Sequence, residues 1–368
     1  MRKRRKRYGR KKKLIIMTTV LTVCITAYKL LPPIVRAAFV LTGNIDFSSE
    51  PGNYTGEENY DYFGILENSG YIENDSKNQK KEISVAASVD PGPKPYPEKW
   101  DNEDGIVSQT TFEKNIGEKY IGLQGGGQIK NETDVLNSVL IEESKKEPDF
   151  KISLDGSPQV LIMHTHTTES FEPYERENFD VTFNYRTTDP SKNTVMVGDK
   201  IAQELEDAGI GVIHDTTIHD YPSYNGSYER SAETVKKILK ENPSIKVVLD
   251  IHRDALGSSD NIMQPTVTID GKKAAQIMII SGCDDGTLDM PDYMKNFHFA
   301  CHLQQQFSSD YPGLTRPILF DYRKYNQDLT TGSLLIEVGT HGNTLDQVEY
   351  SGELIGKSLV KALKDLEE

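Results

Sequence analysis

The sequence predicts an α/β fold, with a mostly parallel or mixed central sheet and helices on both of its faces. From residue 157 onward, short apolar runs alternate with amphipathic stretches, which is the order of strands and helices in such a fold. The apolar runs contain few polar residues, as expected of strands that are covered on both faces. The chain has 368 residues and no internal repeat, so we expect one good-sized domain with accessory segments.

The elements follow from this alternation. The predicted strands lie at residues 159–163, 210–214, 245–251 and 333–337, with a further strand pair at 264–269 and 276–280. The predicted helices lie at residues 193–209, 229–241, 293–309 and 350–366, the first of them stopped by a glycine. Residues 157–368 are therefore predicted to form the main domain.

The charge is divided unevenly along the chain. Residues 2–13 contain ten Lys or Arg and no acidic residue, and we predict a basic cytoplasmic tail at 1–13. The first 39 residues hold 12 of the 42 basic residues, so the remainder has 30 basic against 56 acidic residues, a net charge of −26. An acidic body of this kind repels polyanions, which argues against a nucleic-acid partner for it.

An apolar stretch follows the basic tail. Residues 14–31 predict a transmembrane helix or signal anchor, which Lys29 can lengthen by reaching the interface, and Pro32 and Pro33 break or kink it. The positive flank places the tail in the cytoplasm and the body outside it. Two alternatives remain: a nucleic-acid or nuclear-localisation arm, and a signal peptide cut near Ala37 or Ala38.

Two further segments separate the anchor from the main domain. Residues 41–110 are rich in Gly, Asn, Ser, Glu, Lys and Pro, and predict a disordered or extended stalk. Residues 111–156 predict a small lead-in region with one turn and one short helix. Of the three cysteines, Cys24 lies in the apolar segment, and we expect Cys283 and Cys301 to be free.

Three predicted strands end in polar residues. The run VLIMHTHTTE ends in His164, His166 and Glu169; IKVVLDIHRDA ends in His252, Arg253 and Asp254; and GSLLIEVGTHGN ends in Glu337, with His341 four residues on. The carboxyl ends of strands in an open α/β sheet border a crevice in which ligands bind. We therefore expect these side chains to share one site.

The residue types indicate zinc. His166, Glu169 and His252 supply two imidazoles and a carboxylate, the ligand set of catalytic zinc, and Glu337 suits a general base. His164 is an alternative ligand to His166, or a contact outside the metal's ligands. Mn²⁺ and Fe²⁺ are not excluded by ligand type. Each of these residues, taken alone, also has an ordinary structural explanation: it is a hydrogen-bonded residue at a strand end or a salt-bridge partner.

Other candidates are weaker. Arg186 suits a substrate carboxylate or a surface salt bridge equally well, and Arg253 is a second candidate for substrate binding. His214, His219 and Asp220 either line the crevice or belong to a solvated loop. His298 and His302 have helical spacing but no third ligand nearby, so we predict helix surface or packing for them.

The same motifs carry a resemblance. At VLIMHTHTTESF, LDIHRDA and LLIEVGTHGN the sequence resembles the stage II sporulation protein P family of endospore-forming Firmicutes, from about residue 114 to the C-terminus. That family is similar to zinc-dependent N-acetylmuramoyl-L-alanine amidases and, more distantly, to metallocarboxypeptidases. The matching positions are His166 or His164, His252 and Glu337. The amidases place a glutamate ligand where this sequence has Lys192 and Asn193, and the H-x-x-E spacing instead makes Glu169 its replacement.

The resemblance implies a function. It implies cleavage of the amide between muramic acid and the stem peptide of peptidoglycan, with endopeptidase activity on cross-links as an addition. It further implies that the chain is anchored in the mother-cell membrane and that its catalytic domain faces the septal wall during engulfment. The implied partners are stage II sporulation proteins D and M. Two other hypotheses remain: a wall-binding scaffold with a degenerate site, and a zinc carboxypeptidase that would need an arginine such as Arg186 or Arg253.

Overall fold

The structure, a computed structural model, describes residues 92–96 and 102–368. The predicted basic tail at 1–13, the transmembrane helix or cleaved signal at 14–31 and most of the stalk at 41–110 lie outside the described residues. In the part of the chain that is described, no helix is both long enough and apolar enough to cross a bilayer.

An eight-stranded mixed sheet forms the centre of the fold. In spatial order its strands are β2 (Tyr120–Gly122), β3 (Gln128–Asn131), β11 (Ile318–Asp321), β10 (Ile277–Gly282), β12 (Gly332–Thr340), β7 (Val247–Asp254), β4 (Pro158–Met163) and β6 (Gly211–His214). Strands β12, β7, β4 and β6 run parallel to one another, whereas β10 is antiparallel to β12. The carboxyl ends of β4, β7 and β12 therefore meet at one edge of the sheet.

Helices cover both faces of this sheet, as predicted. They are α1 (Asn137–Glu143), α2 (Thr194–Asp207), α3 (Ser227–Glu241), α4 (Tyr293–Asp310) and α5 (Leu345–Lys364). Side chains alternate along β4: Val160 and Ile162 join the core that contains residues of α2, α4 and α5, whereas Leu161 and Met163 pack with Val235 of α3. The unbroken apolar run from Val160 to Met163 thus reflects burial on both sides of the sheet.

A second, smaller sheet lies in the same unit. Its spatial order is β5 (Asn178–Phe179), β1 (Gly105–Thr110), β8 (Asn261–Ile269) and β9 (Lys272–Ala275). Strand β1 is parallel to β8 and antiparallel to β5. Val107, Phe179 and Ile262 form its buried cluster, with Tyr185 packed against them.

Three predictions about segments are corrected. The stalk does not extend to residue 110, because 105–110 form β1. The lead-in at 111–156 supplies β2 and β3 to the large sheet, so that sheet does not begin at residue 157. The runs at 264–269 and 276–280 do not pair with each other, since β8 pairs with β9 while β10 belongs to the large sheet.

Most other elements agree with the sequence to within a few residues. The largest shift is in α5, which begins at Leu345 rather than at residue 350. Thr344 and Gln347 form a capping box there, each side chain bonding to the other's backbone N–H, and this fixes the earlier start. Cys283 and Cys301 are free and buried, as predicted.

Candidate active site

The three polar strand ends meet as predicted. Met163 at the end of β4 is in register with Asp250 of β7, and His252 of β7 is in register with Glu337 of β12. The four residues predicted as ligands and base are each between 3% and 6% exposed: His166, Glu169, His252 and Glu337. The carboxyl edge of the sheet thus contains a buried group of imidazoles and carboxylates.

His166, Glu169 and His252 lie side by side. The rings of His166 and His252 meet edge to face with their centroids 5.2 Å apart, and Oε2 of Glu169 is 3.6 Å from Nδ1 of His252. Burial, and next the neighbouring His252, lowers the pKa of His166 well below its ordinary value. Nδ1 of His166 is buried without a hydrogen-bond partner among the described residues. A neutral ring with an unused nitrogen is what a metal ligand requires.

Asp250 contacts the other ring nitrogen of His252. Its Oδ1 lies 2.9 Å from Nε2 of His252, which is an ionic contact when the ring is protonated, and among the described residues Nε2 has no partner in hydrogen-bond geometry. Burial alone would lower the pKa of His252, but Asp250 outweighs it and the pKa rises to about 9. Asp250 also accepts hydrogen bonds from the backbone N–H and Oγ1 of Thr165, at 2.8 and 2.7 Å. Asp250 therefore joins β7 to the segment that carries His166.

Glu337 has a free carboxyl oxygen. Within the described ranges its Oε2 is buried without a hydrogen-bond partner, and burial, then the nearby Asp254, raise the pKa of Glu337 to about 8. The register of β12 shifts between Glu337 and Thr340, around Gly339 at φ 63°. A Cβ at Gly339 would lie 2.6 Å from Oδ1 of Asn343, so only glycine permits this bulge. A carboxyl group whose pKa is near neutrality is suited to acid–base catalysis.

His164, the predicted alternative ligand, has both ring nitrogens engaged. Nδ1 lies 3.0 Å from the backbone oxygen of Ile251, and Nε2 lies 2.9 Å from Nε2 of His214. His164 has no exposed surface, and burial, then His214, lower its pKa to about 3. The structure thus leaves a nitrogen free on His166 and none on His164.

Arg186 reaches the rim of the site. Its Nη1 donates to Oδ2 of Asp220 at 2.7 Å, and its Nη2 lies 3.6 Å from Oε1 of Glu169. The guanidinium lies over the ring of Tyr224, 4.8 Å from its centroid. The side chain is 24% exposed, so part of it faces solvent beside the site.

Arg253 stabilises the segments around the site and does not line it. Its Nε donates to the backbone oxygen of Ser170 at 2.8 Å, and its Nη2 donates to that of Tyr185 at 3.0 Å. Its backbone N–H donates to Oε2 of Glu169 at 3.1 Å. Arg253 therefore ties together the two segments that carry Glu169 and Arg186.

Sequence reasoning left open whether the loop before α3 lines the crevice. Asp220 is 5% exposed and accepts from the backbone N–H and Oγ1 of Thr168, so this segment is not a solvated loop at that point. Tyr224 stacks on His166 with centroids 4.5 Å apart, and Tyr228 stacks on His252 at 6.4 Å. The available signal was the aromatic spacing in DYPSYNGSY, which follows β6 at the same edge of the sheet.

Two of the other histidines lie apart from this group, and His341 packs edge to face on Tyr185 with ring centroids 4.9 Å apart. On α4, His298 lies 2.7 Å from Oε2 of Glu143 and His302 lies 2.9 Å from the backbone oxygen of Ala362. These contacts match the packing role predicted for both. His341 is buried, and burial, then Arg253, lower its pKa to about 3.

A metal ion fits the chemistry of the predicted ligands. Among the described residues, no three His, Cys, Asp or Glu side chains are gathered closely enough to hold a metal as they stand. Yet Nδ1 of His166 and Oε2 of Glu337 are buried without hydrogen-bond partners in the described part of the chain, and buried polar atoms normally have partners. Two imidazoles and a carboxylate are zinc donors. Binding would therefore require these side chains to close in on the ion.

Fold and site together define an α/β protein with a buried histidine and carboxylate site at the carboxyl edge of its sheet. The family model described as "Stage II sporulation protein P (SpoIIP)" matches residues 52–359, and the chain belongs to this family. The resemblance seen in the sequence motifs is thereby confirmed. "Stage II sporulation protein P" of Bacillus subtilis (strain 168) is 30% identical over 219 residues, which cover 56% of this chain and 51% of that protein. The chain thus matches about half of the length of this relative.

Solved structures show a more distant likeness. An N-acetylmuramoyl-L-alanine amidase of Nostoc punctiforme, AmiC2, is 12% identical with a TM-score of 0.34, over 57% of this chain and 98% of that one. The CwlD amidase of Clostridioides difficile, solved with the GerS lipoprotein, is 13% identical with a TM-score of 0.32, over 56% and 99%. The catalytic domain of the amidase CwlV of Bacillus (Paenibacillus) polymyxa is 15% identical with a TM-score of 0.35, over 57% and 99%. TM-scores this low carry no inference about this chain.

Proposed function

We propose that this chain is a zinc-dependent peptidoglycan hydrolase that cleaves the amide between N-acetylmuramic acid and the L-alanine of the stem peptide. One observation carries the proposal: buried His166, Glu169 and His252 lie beside Glu337 at the carboxyl edge of the sheet, in a member of the stage II sporulation protein P family. A binding module has no need for a buried carboxyl group such as Glu337, because burial without a partner is costly.

His166, Glu169 and His252 would hold the zinc ion. When bound, zinc polarises a carbonyl oxygen and lowers the pKa of a water molecule to ~7. Asp250 orients His252 and Arg253 orients Glu169 through its backbone N–H, so both ligands are supported from outside the metal.

Glu337 would move the proton. Its unpartnered Oε2 can accept a proton from the attacking water, and the same carboxyl group can then donate it to the leaving amine. The raised pKa of Glu337 suits both halves of this exchange near neutral pH.

The arrangement of the two arginines favours an amidase over a carboxypeptidase. A carboxypeptidase needs a free guanidinium for the terminal carboxylate. Arg253 is committed to backbone oxygens and Arg186 is paired with Asp220. Arg186 remains the better candidate for a substrate contact, since its side chain is partly exposed.

The proposed setting follows the family resemblance. We propose a single membrane anchor in the first 31 residues, with the hydrolase body outside the cytoplasm, facing the septal wall during engulfment. Peptidoglycan is the proposed substrate and stage II sporulation proteins D and M are the proposed partners. Cross-link peptides are a further proposed substrate of the same site.

Digestion of purified peptidoglycan tests the reaction. The purified chain is incubated with peptidoglycan, with added Zn²⁺ or with a chelator, and the soluble products are identified by mass. We expect the release of stem peptides that begin with L-alanine. This release should depend on zinc and should be lost in Glu337→Gln. His302→Asn is the matched control, because its ring contacts a backbone oxygen on the helical layer away from the site.

Two outcomes contradict the proposal. Release of single C-terminal amino acids from the stem peptide would identify a carboxypeptidase. Sedimentation of the chain with the wall, with no bond broken even when stage II sporulation protein D is present, would identify a wall-binding protein.

A further inference from the structure

Both ring nitrogens and the backbone oxygen of His164 make contacts with neighbouring residues. Its Nδ1 lies 3.0 Å from the backbone oxygen of Ile251, and its Nε2 lies 2.9 Å from Nε2 of His214. Its own backbone oxygen accepts hydrogen bonds from Nδ1 of His219 at 2.8 Å and from Oγ1 of Thr167 at 3.0 Å. The residue is completely buried, so no solvent competes for these contacts.

The direction of the hydrogen bonds fixes the state of the ring. A backbone oxygen can only accept, so Nδ1 of His164 must carry the proton that it donates to Ile251. Nε2 of the neutral ring is then an acceptor, and His214 must donate to it from its own Nε2. Both nitrogens of His164 are used in this way, and neither keeps a lone pair for a metal.

Helix α2 is shaped around this pair of histidines. Gly198 lies inside the helix, where glycine is less favourable than alanine. A Cβ at this position would lie 2.5 Å from Nε2 of His214 and 2.9 Å from Nε2 of His164. Gly198 thus supplies the space for the contact between the two rings.

Fixing His164 also fixes the segment that carries His166. Thr165, between the two histidines, donates twice to Asp250, which lies beside His252. The backbone from 164 to 166 is therefore held to β7 at two successive residues, through Ile251 and Asp250. The unpartnered Nδ1 of His166 is presented at the end of this fixed segment.

We infer that His164 is a positioning residue, held by Ile251 and His214 in a slot that Gly198 opens, and that it sets the position of His166 instead of binding metal itself. His214 and Gly198 thereby become part of the active-site support. The inference rests on the proposed function in so far as it assigns the metal to His166.

Zinc titration of the purified chain, read by calorimetry, tests the assignment. We expect one zinc ion per chain in the wild type and in the control His302→Asn, and none in His166→Asn. His164→Asn keeps a donor for Ile251 but not the contact to His214, and Gly198→Ala intrudes on that contact. Both should still bind one zinc ion, about 10- to 100-fold more weakly. Loss of zinc from His164→Asn as complete as from His166→Asn, or affinity equal to that of the wild type, overturns the inference.

Rescue by a conservative variant separates positioning from general stability. Gln at 214 retains an N–H donor at the end of its side chain, whereas Leu does not. We expect His214→Gln to bind zinc within about 3-fold of the wild type and His214→Leu to show the 10- to 100-fold loss. Equal affinities in the two variants contradict the role of the hydrogen bond.

The ring nitrogens of His164 give a readout that needs no metal. In ¹⁵N NMR spectra of the metal-free chain, assigned with His164→Asn, we expect the proton of His164 on Nδ1, and loss of that signature in Gly198→Ala. A proton on Nε2 refutes the inference whether or not zinc binds. If the wild type binds no zinc, the proposed function fails, and the Nδ1 proton alone then decides whether His164 is held as described.

Discussion

The Glu337 carboxyl group combines a buried, unpartnered oxygen with a pKa of about 8. Glu337→Gln keeps the size of the side chain and removes its ability to accept a proton. We expect peptidoglycan hydrolysis to fall by about 10²- to 10⁴-fold, the contribution typical of a general base. Binding to the wall and the thermal unfolding midpoint should remain close to those of the wild type. A variant that keeps more than about a tenth of the activity would show that another group moves the proton.

Asp220 is the residue whose loss should most disturb the rim of the site. Its side chain is fully buried, and it pairs with Arg186 and with Thr168. Removing one member of a buried pair costs about 3–5 kcal/mol, and partial exposure of Arg186 reduces this. We expect Asp220→Asn to lower the free energy of unfolding by about 2 kcal/mol, measured by urea denaturation.

An exposed ion pair on the surface provides the control for the Asp220→Asn variant. Glu142 pairs with Lys145 on the surface, where the side chains are 71% and 53% exposed. Glu142→Gln should change the free energy of unfolding by less than about 0.5 kcal/mol. If the two variants are equally stable, the Arg186 pair does not hold the rim.

The sequence identified the imidazole and carboxyl groups of the site but did not decide every residue that belongs to it. His166, Glu169, His252 and Glu337 were found because each stands where an apolar run ends. The choice between His164 and His166 was open, because it depends on contacts to Ile251 and His214 that are distant in sequence. The role of Asp220 was open for the same reason, since its burial is decided by Thr168 and Arg186.

At the scale of elements, Asp310 couples the end of α4 to α5. Its carboxylate accepts from Ser358 at 2.6 Å and from Lys361 at 2.8 Å, both on α5, and from Gln306. Burial alone would raise the pKa of Asp310, but these hydrogen bonds outweigh it and the pKa is lowered. A carboxyl group with a lowered pKa in the folded state stabilises the fold above its ordinary pKa, and this stabilisation is lost as the pH falls.

Asp310→Asn should therefore destabilise the chain in a pH-dependent way. At pH 7 we expect a loss of about 1.5 kcal/mol in the free energy of unfolding, the contribution of hydrogen bonds to a charged group. The difference from the wild type should persist down to the ordinary aspartate pKa of about 3.9 and shrink as the pH falls below it. Urea denaturation of both chains from pH 7 to pH 3 measures this. A difference that stays constant over that range would contradict the pKa argument.

Elements with a strong periodicity were predicted well, and paired short strands were not. Helices α2, α3 and α4 agree with the prediction because each buries one face against the sheet. Strand β1 was assigned to the stalk, since its burial comes from pairing with β8, more than 150 residues away in the order of the chain. No local pattern distinguishes such a strand from an extended linker.

At the scale of the molecule, the segment before the main domain is part of the body. Residue Tyr96 donates its hydroxyl to the backbone oxygen of Phe171 at 2.6 Å, and Thr188 donates its backbone N–H to that of Lys94 at 2.9 Å. Thr187 and Thr188 directly follow Arg186 in the chain, so residues 92–96 support the rim of the site. The folded body therefore includes residues 92–96 as well as the segment from residue 111 onward.

Two chains that start at residues 92 and 112 test this boundary. The shorter one loses β1, which has five register pairs with β8 and buries Val107 against Phe179 and Ile262. We expect it to be less stable by at least about 3 kcal/mol in urea, because strand pairing and apolar burial are lost together. Within the longer chain, Val107→Ala should cost about 1.5 kcal/mol, whereas its neighbour Ile106, 55% exposed, should tolerate alanine with less than about 0.5 kcal/mol. Equal stability of the two chains would mean that β1 is dispensable and that the body begins at the predicted lead-in.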